Sequence, residues 1–408
     1  MLFRAPGRRS AVLGVIVATT LLTAVGAVPA ASAPATGVIR TVPGAVPVPD
    51  SYIVVLKDEA VAGTVRTDAA ARLTDRYGGQ VRHVYDSVLN GFELRAPESV
   101  ARRLAADPAV AYVERNHRIV PPSANGARDE AGNAPDGVGT ASVPWGLDRV
   151  DQRALPLDGS YTPYHDGSGA LVYVIGGVIR ASHVEFAANP PYVAFSPVLP
   201  CGDETYHAGL VGGATTGTAP GVQLASIEVI DCAFGMETTT VIMAFEWIRL
   251  SRTAPAVVLF PYVASGTALN TAAQRVTDAG YLVVAPAGNS SANACSFTPA
   301  GLAAVLTVGA TTNTDARASY SNYGPCLDLF APGSSIYGPW HSSDTAYNTI
   351  SGTSGAAALA AGCAAALYAA APVLPPAVVA AWLGIQATPG VVTSPGTGSP
   401  NLLLYCGP

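Results

Sequence analysis

The stretch Asn348-Thr349-Ile350-Ser351-Gly352-Thr353-Ser354, followed by the alanine-rich run 355–371, decides how the fold is read. A small, turn-forming Ser-Gly-Thr-Ser delivers a hydroxyl onto the first turn of a helix. There the free backbone N–H groups and the helix dipole favour negative charge. The run behind it is apolar on nearly every face, which marks a helix buried in a large core. A serine mounted in this way reads either as a nucleophile or as an ordinary N-cap, and the segment alone leaves both open.

Outward from this helix, apolar β-rich runs alternate with helical ones from residue 143 onward. Strands are expected at 170–175, 224–230, 256–262, 281–285 and 304–309, and helices at about 205–212, 238–251, 268–278, 355–371 and 376–383. Continuous apolar strands separated by helices indicate an α/β protein with a doubly wound, mostly parallel sheet covered on both faces. In such a sheet the working site lies at the carboxyl ends of the strands, where Gly176, Asn289 and the loop carrying Ser354 all fall.

Before this lies a small unit at 51–120. Its order is strand 51–56, helix 68–77, a strand pair across 82–94 turning at Asn90-Gly91, helix 97–106 and strand 110–114, which is a split βαβ module of α+β type. The Gly- and Pro-rich run 121–142 reads as a linker, so the second domain spans 143–408. The first 33 residues read as an export signal. Arg4, Arg8 and Arg9 precede an apolar run, and small residues follow through Ala33. No second span follows, so the mature chain is expected to be extracellular, off the membrane and monomeric. The 408 residues carry a formal charge of −6 without a basic patch, which argues against a nucleic-acid partner.

The ordered motifs resemble a subtilase (peptidase S8) of the proteinase K type, with an inhibitor I9-type prodomain at 51–120. They include Trp145-Gly-Leu-Asp-Arg-Val-Asp-Gln-Arg153, Val172-Tyr-Val-Ile175, Gly288-Asn289, Thr307-Val-Gly-Ala310, Phe330-Ala-Pro-Gly-Ser-Ser335 and Ile350–Ser354. The resemblance implies the subtilisin-like fold and peptide-bond hydrolysis by an Asp-His-Ser triad with an oxyanion hole. In such a triad a histidine takes the serine's proton while the aspartate fixes the imidazole.

The chemistry departs from that pattern. Ser354 and Asn289 match the nucleophile and oxyanion positions. Gly176 stands at the aspartate position, in Val174-Ile175-Gly176-Gly177-Val178. Alignment of the His-Gly-Thr-His-Val-Ala-Gly helix onto Asp203-Glu204-Thr205-Tyr206-His207 puts Asp203 at the histidine position. His207, four residues on, is displaced by about 5–6 Å along a helix and is expected as a polar residue at the groove rim. Asp203 or Glu204 as an acidic base would lack a second supporting carboxylate. His183 matches a histidine that the family carries outside its triad.

The groove departs as well. The family binds peptide as an added strand between two glycine-bearing segments. Here Pro261 and Tyr262 replace part of one, and Phe234 and Met236 take glycine positions in the other. Pro286 intrudes beside Asn289. The resemblance further implies disulfides Cys201–Cys232 and Cys295–Cys326, leaving Cys363 and Cys406 as a third bridge or as free thiols. It also implies a structural calcium on the carbonyls of Ala303 and Val305 and the carboxylate of Asp328; no other cofactor is required.

Three functions compete on these residues: a proteolytically inactive, secreted pseudoprotease binding a protein or peptide; a serine endopeptidase with rearranged catalysis at Ser354; and a prodomain that inhibits other subtilases. The chain's own prodomain is a partner in each.

Overall fold

A computed structural model describes residues 35–61, 66–120 and 143–408. The expected signal segment and linker lie outside the described residues.

The 51–120 unit is built from β1 (Val46–Leu56), α1 (Arg66–Tyr77), β2 (Gln80–Tyr85), β3 (Gly91–Arg95), α2 (Glu98–Leu104) and β4 (Val110–Ile119). Its own core joins Tyr52, Val54 and Phe92 of the sheet to Ala69, Leu73 and Leu104 of the two helices. Two details differ from the sequence reading. The β2–β3 pair closes at Tyr85 opposite Gly91, so Asn90-Gly91 is the end of a longer loop and not its turn. Strand β4 runs five residues past the expected end, pairing with Pro47 and Val46 of β1 and, at its last two residues, with the second domain.

That domain contains β5 (Leu171–Gly176), β6 (Tyr192–Phe195), α3 (Thr205–Gly212), β7 (Gln223–Glu228), β8 (Gly235–Glu237), α4 (Thr238–Ser251), β9 (Ala256–Leu259), α5 (Thr267–Asp278), β10 (Tyr281–Pro286), β11 (Leu306–Thr311), β12 (Leu329–Pro332), α6 (Thr353–Ala370), α7 (Pro376–Gln386) and β13 (Leu402–Leu403). The nine-stranded sheet runs β13-β12-β11-β10-β9-β5-β7-β6, with an antiparallel Thr388–Pro389 strand beyond β13. All the other neighbours pair in parallel. The doubly wound, mostly parallel sheet is therefore present, although β9 stops at Leu259, before Pro261.

Period-two alternation explains how each strand serves two cores. Along β5, Val172 and Val174 enter the core shared with α3 and α6, while Tyr173 and Ile175 enter the one shared with α4 and α5. Helix α6 is long and apolar enough to cross a membrane, yet it is the buried centre of the fold. Its small residues permit close approach: a side chain at Gly362 would meet the Thr218 hydroxyl and the Val211 carbonyl. All three disulfides are formed, Cys201–Cys232, Cys295–Cys326 and Cys363–Cys406, the last tying α6 to the chain end.

Candidate active site and prodomain interface

Ser354 is the second residue of α6. Gly352, not Ser354, is the N-cap, and no side chain caps this helix. The capping reading is thus set aside. Asn289, three residues past the end of β10, accepts from the Thr353 N–H at 2.9 Å and the Thr353 hydroxyl at 2.7 Å through Oδ1. Its Nδ2 is thereby fixed. It and Ser354 Oγ each lie 3.3 Å from the point that a Cβ on Gly352 would occupy, so donor and hydroxyl converge on one spot. This is the geometry of a nucleophile beside an oxyanion donor.

The base is a different matter. Among the described residues no hydrogen bond reaches Ser354 Oγ. Asp203 is committed elsewhere: Oδ1 accepts from the Thr205 N–H at 3.0 Å, and Oδ2 lies 3.2 Å from His341 Nδ1. His207, expected as a polar rim residue, is engaged by its neighbour. Its Nδ1 meets Glu204 Oε2 at 2.6 Å, and its side chain is only 15% exposed. Glu204, fully buried, also accepts from the hydroxyl of Tyr262. Burial, and then the neighbouring Glu204 carboxylate, push the Tyr262 hydroxyl well above its ordinary pKa, so it stays a donor.

Glu204 reaches that place because Gly176 leaves room. A Cβ on Gly176 would overlap Oε1, Cδ and Cγ of Glu204. The carboxylate therefore fills the space into which an aspartate at 176 would extend. The sequence carried a signal for this exchange: an acid-to-glycine departure at 176 is matched by a glycine-to-acid departure at 204. His183 is buried between the Ala346 carbonyl and the Glu185 N–H, away from this network.

The groove residues separate into two groups. Tyr262 and Pro261 are buried, and Tyr262 serves the Glu204 network. Pro286 is the buried last residue of β10, opposite Val308. Phe234 is exposed, whereas Met236 is buried in the core with Tyr85 and Ile119. Met236 does not block strand addition, contrary to expectation, because its side chain turns inward and leaves the backbone edge free. Strand β8 pairs antiparallel with the end of β4, Met236 opposite Ile119 and Glu237 opposite Arg118. One seven-stranded sheet thus runs from the 51–120 unit into the second domain.

Charged groups hold the same interface. Glu246 on α4 accepts from the N–H groups of Asp86, Ser87 and Val88 at 2.8–3.1 Å. Glu114 on β4 accepts from the Thr267 N–H at 2.9 Å, at the positive end of α5. Asn116 binds Glu237 and Thr239. Charge-assisted bonds of this kind are the strong class. Glu246→Ala is expected to weaken docking by about 3 kcal/mol, because it strands three donors. Hydrogen exchange at Asp86–Val88 in the variant, compared with the parent, would measure the loss.

Asp328 is exposed, and its Oδ2 accepts from the Thr307 N–H at 2.7 Å. No group of three His, Cys, Asp or Glu among the described residues could hold a metal ion. Two carbonyls and one carboxylate are hard-oxygen donors of the kind calcium takes, with little charge to bind it tightly.

Comparison with known proteins agrees with this architecture. Residues 204–401 match the subtilase family and residues 51–120 the peptidase inhibitor I9 family. An extracellular serine proteinase of Thermus sp. (strain Rt41A) is 42% identical over 343 residues, covering 82% of this chain and 80% of that protein. Alkaline serine exoprotease A of Vibrio alginolyticus is 35% identical, over 89% of this chain and 68% of its own length. The crystal structure of a cold-adapted subtilisin-like serine proteinase superposes with a TM-score of 0.61 at 36% identity, covering 64% of this chain and 97% of the other. The sheet order, the Ser354–Asn289 pair and these likenesses agree: the chain belongs to the subtilase family and carries an I9-type prodomain.

Proposed function

We propose that this chain is a secreted subtilase-fold pseudoprotease that keeps its prodomain docked and acts by binding. One observation carries the reading: Glu204, tied to His207 and Tyr262, fills the place of the aspartate, so no imidazole is delivered to Ser354. Serine attack requires a base to take the hydroxyl proton as the new bond forms. Asn289 could still stabilise an oxyanion, but that alone leaves only residual catalysis. Export accords with the basic and apolar amino terminus, the three disulfides and the extracellular relative.

Active relatives remove their prodomain by cutting the linker themselves, so an inactive chain leaves the 121–142 join intact. Intact-mass analysis of the secreted protein and its Ser354→Ala variant tests this. One uncut chain in both supports the reading. A separated prodomain in the parent alone would overturn it.

A second reading draws on the 2.6 Å Glu204–His207 contact, which is the acid–imidazole half of a relay built on one helix. On it, Ser354 would be activated by His207 after a shift of α3. Residual ester hydrolysis abolished by His207→Ala would favour that arrangement.

We also propose that Asp328, with the Ala303 and Val305 carbonyls, holds a structural calcium. Calcium is then expected to raise the unfolding midpoint by a few degrees through linkage, an increment that Asp328→Asn removes. Thermal unfolding in calcium and in EGTA checks it.

A further inference from the structure

A cavity of about 480 Å³ lies on the seam between the prodomain and the subtilase domain, apart from Ser354. The prodomain contributes Arg66 and the 86–90 loop, α4 contributes Arg249, and α5 contributes Arg275. Among the described residues none of the three guanidinium groups forms a salt bridge. Arg66 spends its Nε on Asn90 Oδ1 at 2.9 Å, and Asn90 in turn engages Asp58. Two lining atoms are buried with no partner at all, Nε of Arg249 and the hydroxyl of Ser87.

Buried donors without partners are costly, and these two belong to residues that line one cavity. Arg249 and Arg275 each occupy the last turn of their helix, where a cation is favoured. That placement accounts for a positive charge on each helix, but not for their sharing a cavity with Arg66 of the other domain. Asp58 and Asp86 also line the cavity, so a ligand must carry more than one negative charge to prevail there. A planar guanidinium presents paired donors suited to phosphate-type oxygens.

We infer that this cavity binds a small multivalent oxyanion of the phosphate class, which bridges Arg66 to Arg249 and Arg275 and fastens the prodomain onto the subtilase domain. Because the ligand contacts both domains, it stabilises their docked state in proportion to its occupancy. The inference rests on the docked interface and not on the absence of catalysis.

The test is calorimetric titration of the full secreted chain with inorganic pyrophosphate at constant ionic strength, alongside Arg275→Gln, Arg66→Gln and Ser87→Ala. Arg275 is exposed, so that variant keeps its fold. Saturable one-to-one binding, weakened ten-fold or more by substitution on either domain, is expected. The unfolding midpoint should rise with pyrophosphate and not with matched sodium chloride. Absence of saturable binding, or binding unchanged in both arginine variants, would overturn the inference.

Discussion

The triple variant Gly176→Asp, Asp203→His, Glu204→Gly is expected to hydrolyse activated esters at least about 10³-fold faster than the parent chain. Removing a serine–histidine relay from an active enzyme costs about 10⁶ in kcat, and the altered groove is expected to withhold part of that. All three changes are required. Gly176→Asp alone would drive a second carboxylate into the space of Glu204, where two buried like charges cannot both stay ionised. Asp203→His alone would supply an imidazole without the acid that orients it. Glu204→Gly clears the overlap at an N-cap position, where glycine is tolerated. Burst kinetics with a p-nitrophenyl ester would measure the gain, and Ser354→Ala in the triple background should abolish it. No gain in a folded triple variant would locate the defect in the groove instead.

The second large effect concerns stability. Glu204→Ala is expected to lower unfolding free energy by about 3–5 kcal/mol, the range for stranding partners of a buried charged group. It removes a fully buried carboxylate on which His207 and Tyr262 both depend. It also opens a cavity against Gly176, which has no side chain to fill it. Glu204→Gln keeps the volume and should cost less than half as much. Thermal unfolding of both variants beside the parent checks the order. Equal stability of Glu204→Ala and the parent would mean that the carboxylate is not anchored as described.

Much of the fold was legible because it depends on local periodicity. The continuous apolar run Leu171–Gly176, the amphipathic Thr267–Asp278 and the all-apolar Thr353–Ala370 each show their type by pattern. The features that escaped depend on residues remote in sequence. The Asp86–Asn90 loop is longer than a tight turn because Glu246, some 160 positions away, satisfies its backbone donors. Strand Val110–Ile119 runs on past Glu114 because Val46–Pro47 and then Met236–Glu237, both remote in sequence, pair with it.

The site divides along the same line. Ser354 and Asn289 were legible from short motifs, and their convergence follows from strand order. The Gly176–Glu204 exchange was not legible, because Gly176 alone reads as a lost acid and Glu204 alone as an acidic base without a supporting carboxylate. Only their shared space shows that the Glu204 carboxylate occupies the volume a side chain at 176 would take. His207 read as a polar rim residue because nothing in its own segment shows Glu204 turning inward to meet it. His341 carried no signal in its own segment, and its role beside Asp203 appears only when the 336–350 hairpin folds over α3.

The central claim is that Ser354 lacks a base, and labelling by a fluorophosphonate tests it most directly, since the probe reports hydroxyl nucleophilicity without requiring an intact groove. Purified secreted protein, with Ser354→Ala and an active subtilase as references, would be incubated with the probe and resolved by mass. The account predicts no adduct on the parent chain while the active reference labels fully. A stoichiometric adduct on Ser354, absent from Ser354→Ala, would contradict it.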